Sequence, residues 1–290
     1  MDKSPLSWED AQTFLAVIEH SSFSAAARSL GVGQPTISRR IKNLEQALSE
    51  QLFIRGKYGA EPTDSARHLK PAAEQMAKWA AEFGRLALSG ENEVSGLVKI
   101  AAPPGAAVEQ LAPFASILKL KESGIRLEVL SSVDQVDLTR GFADIAIRTQ
   151  PPNEPELFCL HEVIVEQGIY AAKQYAAKLQ QPCSWADLDW ITWSGQYRHV
   201  PPRPMLEKII PDFTPVFSSD DYLVQKAAVA AGVGAMILGK PMGFEQSELV
   251  QIDIGIDLPA RKFYIVCAKS MRQVPRVNVV AKHLVGALHS

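Results

Sequence analysis

Over the first ninety residues apolar side chains recur every three or four positions; farther along, short apolar runs alternate with such helical stretches. Trp8–His20 is expected as a first helix, with Ser7 as N-cap, Asp10 in the opening turn, and Ala11, Phe14, Leu15 and Ile18 on its core face. Residues 24–30 form a short Ala-rich helix whose small side chains let a neighbour come close. Gly31-Val32-Gly33 supplies a tight turn, because glycine tolerates the positive φ that a sharp reversal often needs. The next helix opens at Gln34-Pro35, with Pro35 at the first helical position, where a missing N–H costs nothing. Ile37, Ile41, Leu44 and Leu48 form its buried stripe, and Thr36, Arg39, Arg40 and Asn43 fall off that stripe toward solvent. A short strand at Phe53-Ile54-Arg55, a turn at Gly56-Lys57-Tyr58-Gly59 and a second strand near Ala60 make a wing.

Residues 63–89 are Ala-rich and helical, and Leu69, Ala73, Met76, Ala80, Phe83 and Ala87 repeat at the a/d spacing of a coiled coil. Trp79 and Leu86 widen the stripe. That much apolar surface on one long helix predicts dimerisation through Leu69, Met76, Trp79, Phe83 and Leu86; the competing arrangement packs the helix on its own chain. Pro71 is expected to remove one hydrogen bond and bend the first turns. A polar hinge at 89–95 then closes the N-terminal half.

Beyond the hinge the period switches between two and 3.6, the pattern of an α/β domain with a largely parallel sheet. Strands are expected at 97–102, 126–130, 144–148, 190–193, 215–217 and 234–238. Helices are expected at 106–120, ending at 136–141, at 220–231 and at Pro275–Leu288.

The 290 residues suffice for two or three modules, and the net charge of −2 gives no hint of nucleic acid. Charge placement does. Between Glu19 and Glu45 no acidic residue occurs, while Arg28, Arg39, Arg40 and Lys42 all do. A helix, a glycine turn and a helix with a basic leading face is the plan of a helix-turn-helix, whose cations meet phosphates and whose polar side chains read base edges. No 18-residue apolar stretch and no basic-then-apolar leader occurs, so neither span nor signal peptide is expected and the cytoplasm is the default. Cys159, Cys183 and Cys267 form no CxxC pair and are expected as buried or inert thiols. Residues 234–240 match most of a phosphate-binding loop, but their middle is an apolar strand and Pro241 replaces the magnesium-holding Ser/Thr. With no metal-ligand spacing and no nucleophile elbow, neither enzyme activity nor a cofactor is expected.

The run FLAVIEHSSFSAAARSLGVGQPTISRRIKNLEQALSEQLFIR resembles the N-terminal domain of the LysR-type transcriptional regulators. The matching elements are Phe14 to Ile18, Ser22 to Ala27, the Gln-Pro-x-x-Ser start of a recognition helix at Gln34 to Ser38, Leu44-Glu45, and Leu52 to Arg55. Gly33 departs from the pattern, which usually has Ser there, and Glu61 to Ala66 replaces the usual Leu-Thr-Glu-Ala-Gly. The resemblance implies DNA contacts by Gln34, Pro35, Thr36, Ser38, Arg39, Arg40 and Lys42, with Arg55 and Lys57 from the wing. It extends to Gly141 through Arg148, similar to the family's Gly-x-x-Asp-aliphatic signature. It implies a winged helix-turn-helix at 1–62, a linker helix at 63–89, and a two-lobed Rossmann-like effector domain similar to periplasmic binding proteins. Lobe 1 would span 90–162 and 268–290, lobe 2 163–267, with crossings near 162–168 and 263–268.

Ligands in open α/β sheets bind beyond the carboxyl ends of strands. That rule selects Pro104, Gly105, Ser132, Val133, Arg148 and Thr149 from one lobe, and Trp193, Ser194, Ser218, Ser219 and Asp220 from the other. Arg148 would be the cleft's cation, the serines and Thr149 its neutral donors, and a small polar or weakly anionic effector its ligand. Pro104-Gly105 stands where many family members place a carboxylate-binding Ser or Thr. The whole reads as a sequence-specific regulator that pairs as a homodimer or homotetramer on a dyad operator in double-stranded DNA, answers to a small-molecule effector and contacts RNA polymerase. The alternative is a two-lobed α/β enzyme or solute-binding protein with a helical assembly domain; a regulator that has lost its effector is a third.

Overall fold

The computed structural model describes residues 6–56, 59–88, 94–180, 182–240 and 249–288. Lys57 and most of the expected hinge lie outside the described residues, as do the side chains of Arg55 and Leu86. The chain divides into two compact units, one running to Leu88 and one holding most of the remainder.

In the first unit α1 (Trp8–His20) begins on a reciprocal cap, Ser7 accepting from the Asp10 amide at 3.2 Å while Asp10 accepts from the Ser7 amide at 2.9 Å. Then come α2 (Phe23–Ser29), α3 (Gln34–Leu48), β1 (Phe53–Gly56), β2 (Gly59–Pro62) and α4 (Asp64–Leu88). Of the two turn glycines only Gly31 needs to be one, at φ +66°. Gly33 has an ordinary φ of −74° and is an N-cap without a capping side chain, so the missing family serine is a lost cap rather than a backbone requirement. α3 starts one residue before Pro35, not at it.

Ile37, Ile41 and Leu44 are buried with Phe14, Val17, Ala26, Ala27 and Leu52. Each large aliphatic buried there stabilises the unit by about 1.5–3 kcal/mol. Phe53 ties the wing to this core, its ring 5.7 Å from Phe14 and 6.0 Å from Phe23. β1 and β2 pair antiparallel from Phe53↔Pro62 to Gly56↔Gly59. At Gly59, φ +134°, a side chain would lie 2.2 Å from the Ser21 carbonyl, so the wing comes this close to the end of α1 only with glycine.

α4 runs through Pro71 as one 25-residue helix. Its heptad seam splits. Ala66, Ala73 and Ala77 are buried against the helix-turn-helix core with Leu69 packed beside them, which corrects the assignment of Leu69 to an intermolecular seam. That core covers only the first half of the helix. Met76, Trp79 and Phe83 remain 41%, 67% and 78% exposed.

The second unit has two lobes. Lobe 1 comprises β3 (Gly96–Ala102), α5 (Pro104–Ala106), a π-helical turn at Ala107–Leu111, α6 (Ala112–Lys121), β4 (Ile125–Ser131), β5 (Ile145–Arg148) and β6 (Leu157–Val165). Lobe 2 comprises β7 (Gln167–Ala172), α7 (Lys173–Ala176), β8 (Ile191–Trp193), α8 (Arg203–Ile209), β9 (Phe217–Ser219), α9 (Tyr222–Ala230), β10 (Ala235–Gly239) and β11 (Leu249–Ile252). The chain returns to lobe 1 through β12 (Arg261–Ala268) and ends in α10 (Pro275–Leu288).

The lobe 1 sheet has the order β4-β3-β5-β12-β6. β3 is parallel to β4 and β5, but β12 is antiparallel to both its neighbours, so the expected largely parallel sheet is mixed. In lobe 2, β10-β7-β11 is antiparallel and β8-β9 parallel. β6 stays in the lobe 1 sheet to Val165 and β12 enters it at Arg261, which narrows the crossing to Glu166 on one side. Residues 136–141, expected to end a helix, are coil and turn around the buried Leu138.

Candidate functional site

The leading face of α3 presents Gln34, Pro35, Arg39 and Lys42 to solvent, with Thr36 and Ser38 half-buried behind them. Gln34 donates to the Ser38 hydroxyl at 3.0 Å, which steers its amide along the helix. Arg39 and Lys42 have no carboxylate partner among the described residues. Arg40 does: its guanidinium lies 3.0 Å from Glu9 of α1, so the stretch without acids in sequence is not without acids in space. Glu45, behind this face, accepts from the Leu52 and Phe53 amides at 2.8 and 3.2 Å and so positions the wing on the recognition helix.

The second site is a cleft of about 470 Å³ between the lobes of the second unit, with mostly apolar walls. Of the expected residues it is lined by Pro104, Gly105, Val133, Thr149 and Trp193. Ser132, Arg148, Ser194, Ser218, Ser219 and Asp220 do not line it. The reason at Arg148 is a competing anion. Its side chain, 5% exposed, is bound by Glu154 at 3.1 and 3.3 Å and donates to the Val136 carbonyl at 3.2 Å. Burial pushes the Glu154 carboxyl up, but backbone hydrogen bonds and Arg148 bring it below its ordinary value, so the pair is charged and mutually neutralised. β9 lies two residues later than expected, so Ser218 and Ser219 fall within the strand: the Ser194 amide donates to the Ser219 carbonyl, and the Ser219 hydroxyl accepts from the Asp221 amide.

Sequence reasoning missed Glu109 and Gln110, which the π-helical turn brings into the cleft, and the floor made by Val163, Val165, Arg261, Phe263 and Ile265. The alternation Arg261, Phe263, Ile265 was the available signal, hidden by starting the return strand at Phe263. Polar contacts join the lobes across the cleft. Tyr222 donates to Glu109 at 3.3 Å, Lys226 is ion-paired with that same carboxylate, and Tyr197 donates to Asp134 at 3.2 Å. Burial and the Glu109 carboxylate push the Tyr222 phenol well above its ordinary value, so it stays a donor.

The two halves match known proteins separately and together. The profile described as "Bacterial regulatory helix-turn-helix protein, lysR family" matches residues 8–67, and "LysR substrate binding domain" matches residues 91–288. The chain is 28% identical over 181 residues to a probable HTH-type transcriptional regulator LrrA of Synechococcus elongatus, covering 61% of this chain and 60% of that protein. It is 32% identical over 147 residues to the Mau operon transcriptional activator of Paracoccus denitrificans, covering 51% and 52%. The HTH-type transcriptional activator AmpR of Citrobacter freundii is 24% identical over the full length of both chains. The full-length structure of the Vibrio cholerae virulence activator AphB superposes with a TM-score of 0.62 at 19% identity, covering 97% of this chain and 99% of that one. A Pseudomonas aeruginosa OxyR variant gives 0.62 at 17%, covering 96% and 94%. At such identities the superpositions speak for the fold.

Proposed function

The chain belongs to the LysR family of transcriptional regulators, and on that premise we propose that α3 reads a specific operator while a small molecule in the interlobe cleft sets the regulatory state. Two copies pair through the exposed stripe on α4, and the bound assembly acts on transcription by contact with RNA polymerase. The matching profiles and relatives are regulators, not enzymes, which sets aside the enzyme alternative. The observation that carries the DNA-reading proposal is the exposed Gln34 and Arg39 at the start of a helix whose opposite face is locked into a core. There arginine can pair with guanine O6 and N7, and glutamine with adenine N6 and N7.

The test is selection of genomic fragments by the full-length protein, followed by affinity measurements on the recovered operator and its point mutants. Arg39→Ala is expected to cost about 1–3 kcal/mol on the operator and to relax preference at one position. Lys42→Ala is expected to weaken all sequences alike and to flatten the salt dependence by about one phosphate contact. Undiminished operator discrimination by Arg39→Ala would move the reading face elsewhere.

A further inference from the structure

The cleft floor comes from the two strands that cross between the lobes. Alternation along β12 puts Arg261, Phe263 and Ile265 on one face, and the register sets Val165 opposite Arg261 and Val163 opposite Phe263. Lys262 points the other way, ion-paired with Glu162 at 2.7 Å. Arg261 is therefore a guanidinium set into an apolar floor, 5.5 Å from the Phe263 ring centre. Burial lowers its pKa, with no acidic neighbour to offset the effect. Of the other ionisable side chains of the lining, Glu109 is matched by Lys226 and Tyr222 and Lys240 by Glu166 at 2.7 Å, while His199 is exposed. The acidic Asp134 accepts from Tyr197. Among the described residues, Arg261 has no carboxylate partner.

We propose that Arg261 is the anion-binding residue of the cleft, and that the ligand it selects is a small monocarboxylate with an aromatic or branched aliphatic body. This rests on the reading of the cleft as the effector site. A half-desolvated guanidinium gains most from a planar anion that it can grip with two parallel N–H bonds, and a carboxylate is that shape. The apolar walls require a body that gives up water at little cost, and about 470 Å³ admits a small molecule. A dianion would need a second cation, and both Lys240 of the lining and the nearby Arg148 are already taken.

The test uses full-length protein with benzoate, phenylacetate and isovalerate, each beside its neutral amide, and reads the unfolding temperature and tryptophan fluorescence, Trp193 lying in the same cleft. The acids are expected to bind at least tenfold more tightly than their amides. Arg261→Gln should bring acids and amides within about twofold of each other, Arg261→Lys should fall between, and Lys262→Gln, on the opposite face, should behave as wild type. Thr149→Phe, which adds a ring from a half-buried position in the lining, should weaken every probe. The proposal is overturned if none of the three acids binds, if acids bind no better than amides, or if the acid preference survives in Arg261→Gln. In those last two cases Thr149→Phe separates the claims: loss of binding leaves the cleft as the effector site and removes only the ligand class where acids and amides bind alike, or only the role of Arg261 where the acid preference survives. Unaffected binding in Thr149→Phe removes the cleft reading itself.

Discussion

Lys226 of α9 is ion-paired with Glu109, and Tyr222, one helical turn earlier, donates to that carboxylate at 3.3 Å. Glu109 belongs to lobe 1 and α9 to lobe 2, so one acid ties the lobes across the mouth of the cleft. The pair is mostly withdrawn from water, with both side chains about one quarter exposed. Glu109→Gln keeps an acceptor for Tyr222 but removes the charge that faces Lys226. A loss of about 1 kcal/mol would raise the open population roughly fivefold. Hydrogen exchange should quicken in residues 104–111 and 222–230 together; unchanged exchange in both would assign closure to other contacts.

Glu45 is a structural acid inside a DNA-reading helix. Its Oε1 holds the Leu52 and Phe53 amides at the start of the wing. Glu45→Ala strands two part-buried donors and should cost about 1–3 kcal/mol, whereas Glu45→Gln, which keeps a carbonyl acceptor, should cost less. Urea unfolding midpoints check both. An unshifted midpoint in the alanine variant would mean that water replaces the carboxylate without loss.

The exposed half of α4 predicts a second separation. Met76→Glu and Phe83→Glu place charge on residues 41% and 78% exposed, so neither should disturb the fold of the unit that carries them. Both should shift the sedimentation coefficient toward that of the monomer, because a buried interface would hold an unpaired carboxylate. Leu69→Glu should instead lower stability, since Leu69 packs on its own chain's core. Identical oligomer size in Met76→Glu and Phe83→Glu would remove α4 from the dimer interface.

Burial pushes the Cys267 thiol up to about 11 from an ordinary value of 9.0, Arg272 only partly opposing it. A raised pKa means the neutral thiol persists to higher pH in the folded chain. At pH 8 the thiolate fraction falls from about one in ten to about one in a thousand, and the thiolate is the nucleophile. Alkylation of Cys267 by iodoacetamide should therefore be at least about a hundredfold slower in native than in unfolded protein, as read by peptide mass spectrometry. Equal rates would show that the site opens freely to solvent.

Local signals in the chain determined much of the architecture. The bounds Trp8–His20 follow from cap chemistry and 3.6-residue periodicity, and Pro275–Leu288 from a proline at the first helical position and the same periodicity, all set within one or two turns of helix. The helix-turn-helix motif was legible for the same reason. Partnerships were not. Arg40 meets Glu9 from another helix, and Arg148 meets Glu154 across a loop whose path no period encodes. Leu69 and Phe83 share one heptad pattern, yet only the first lies where the helix-turn-helix core reaches α4. Arg261 enters the cleft because β12 pairs with β6 in the register that sets it opposite Val165. Slipping that register by one residue would turn Lys262 inward instead. Period and capping are properties of neighbouring residues and can be read along the chain. Which charge is neutralised, and which is left facing a cavity, depends on strand register and helix packing between distant segments, which only the folded tertiary structure decides.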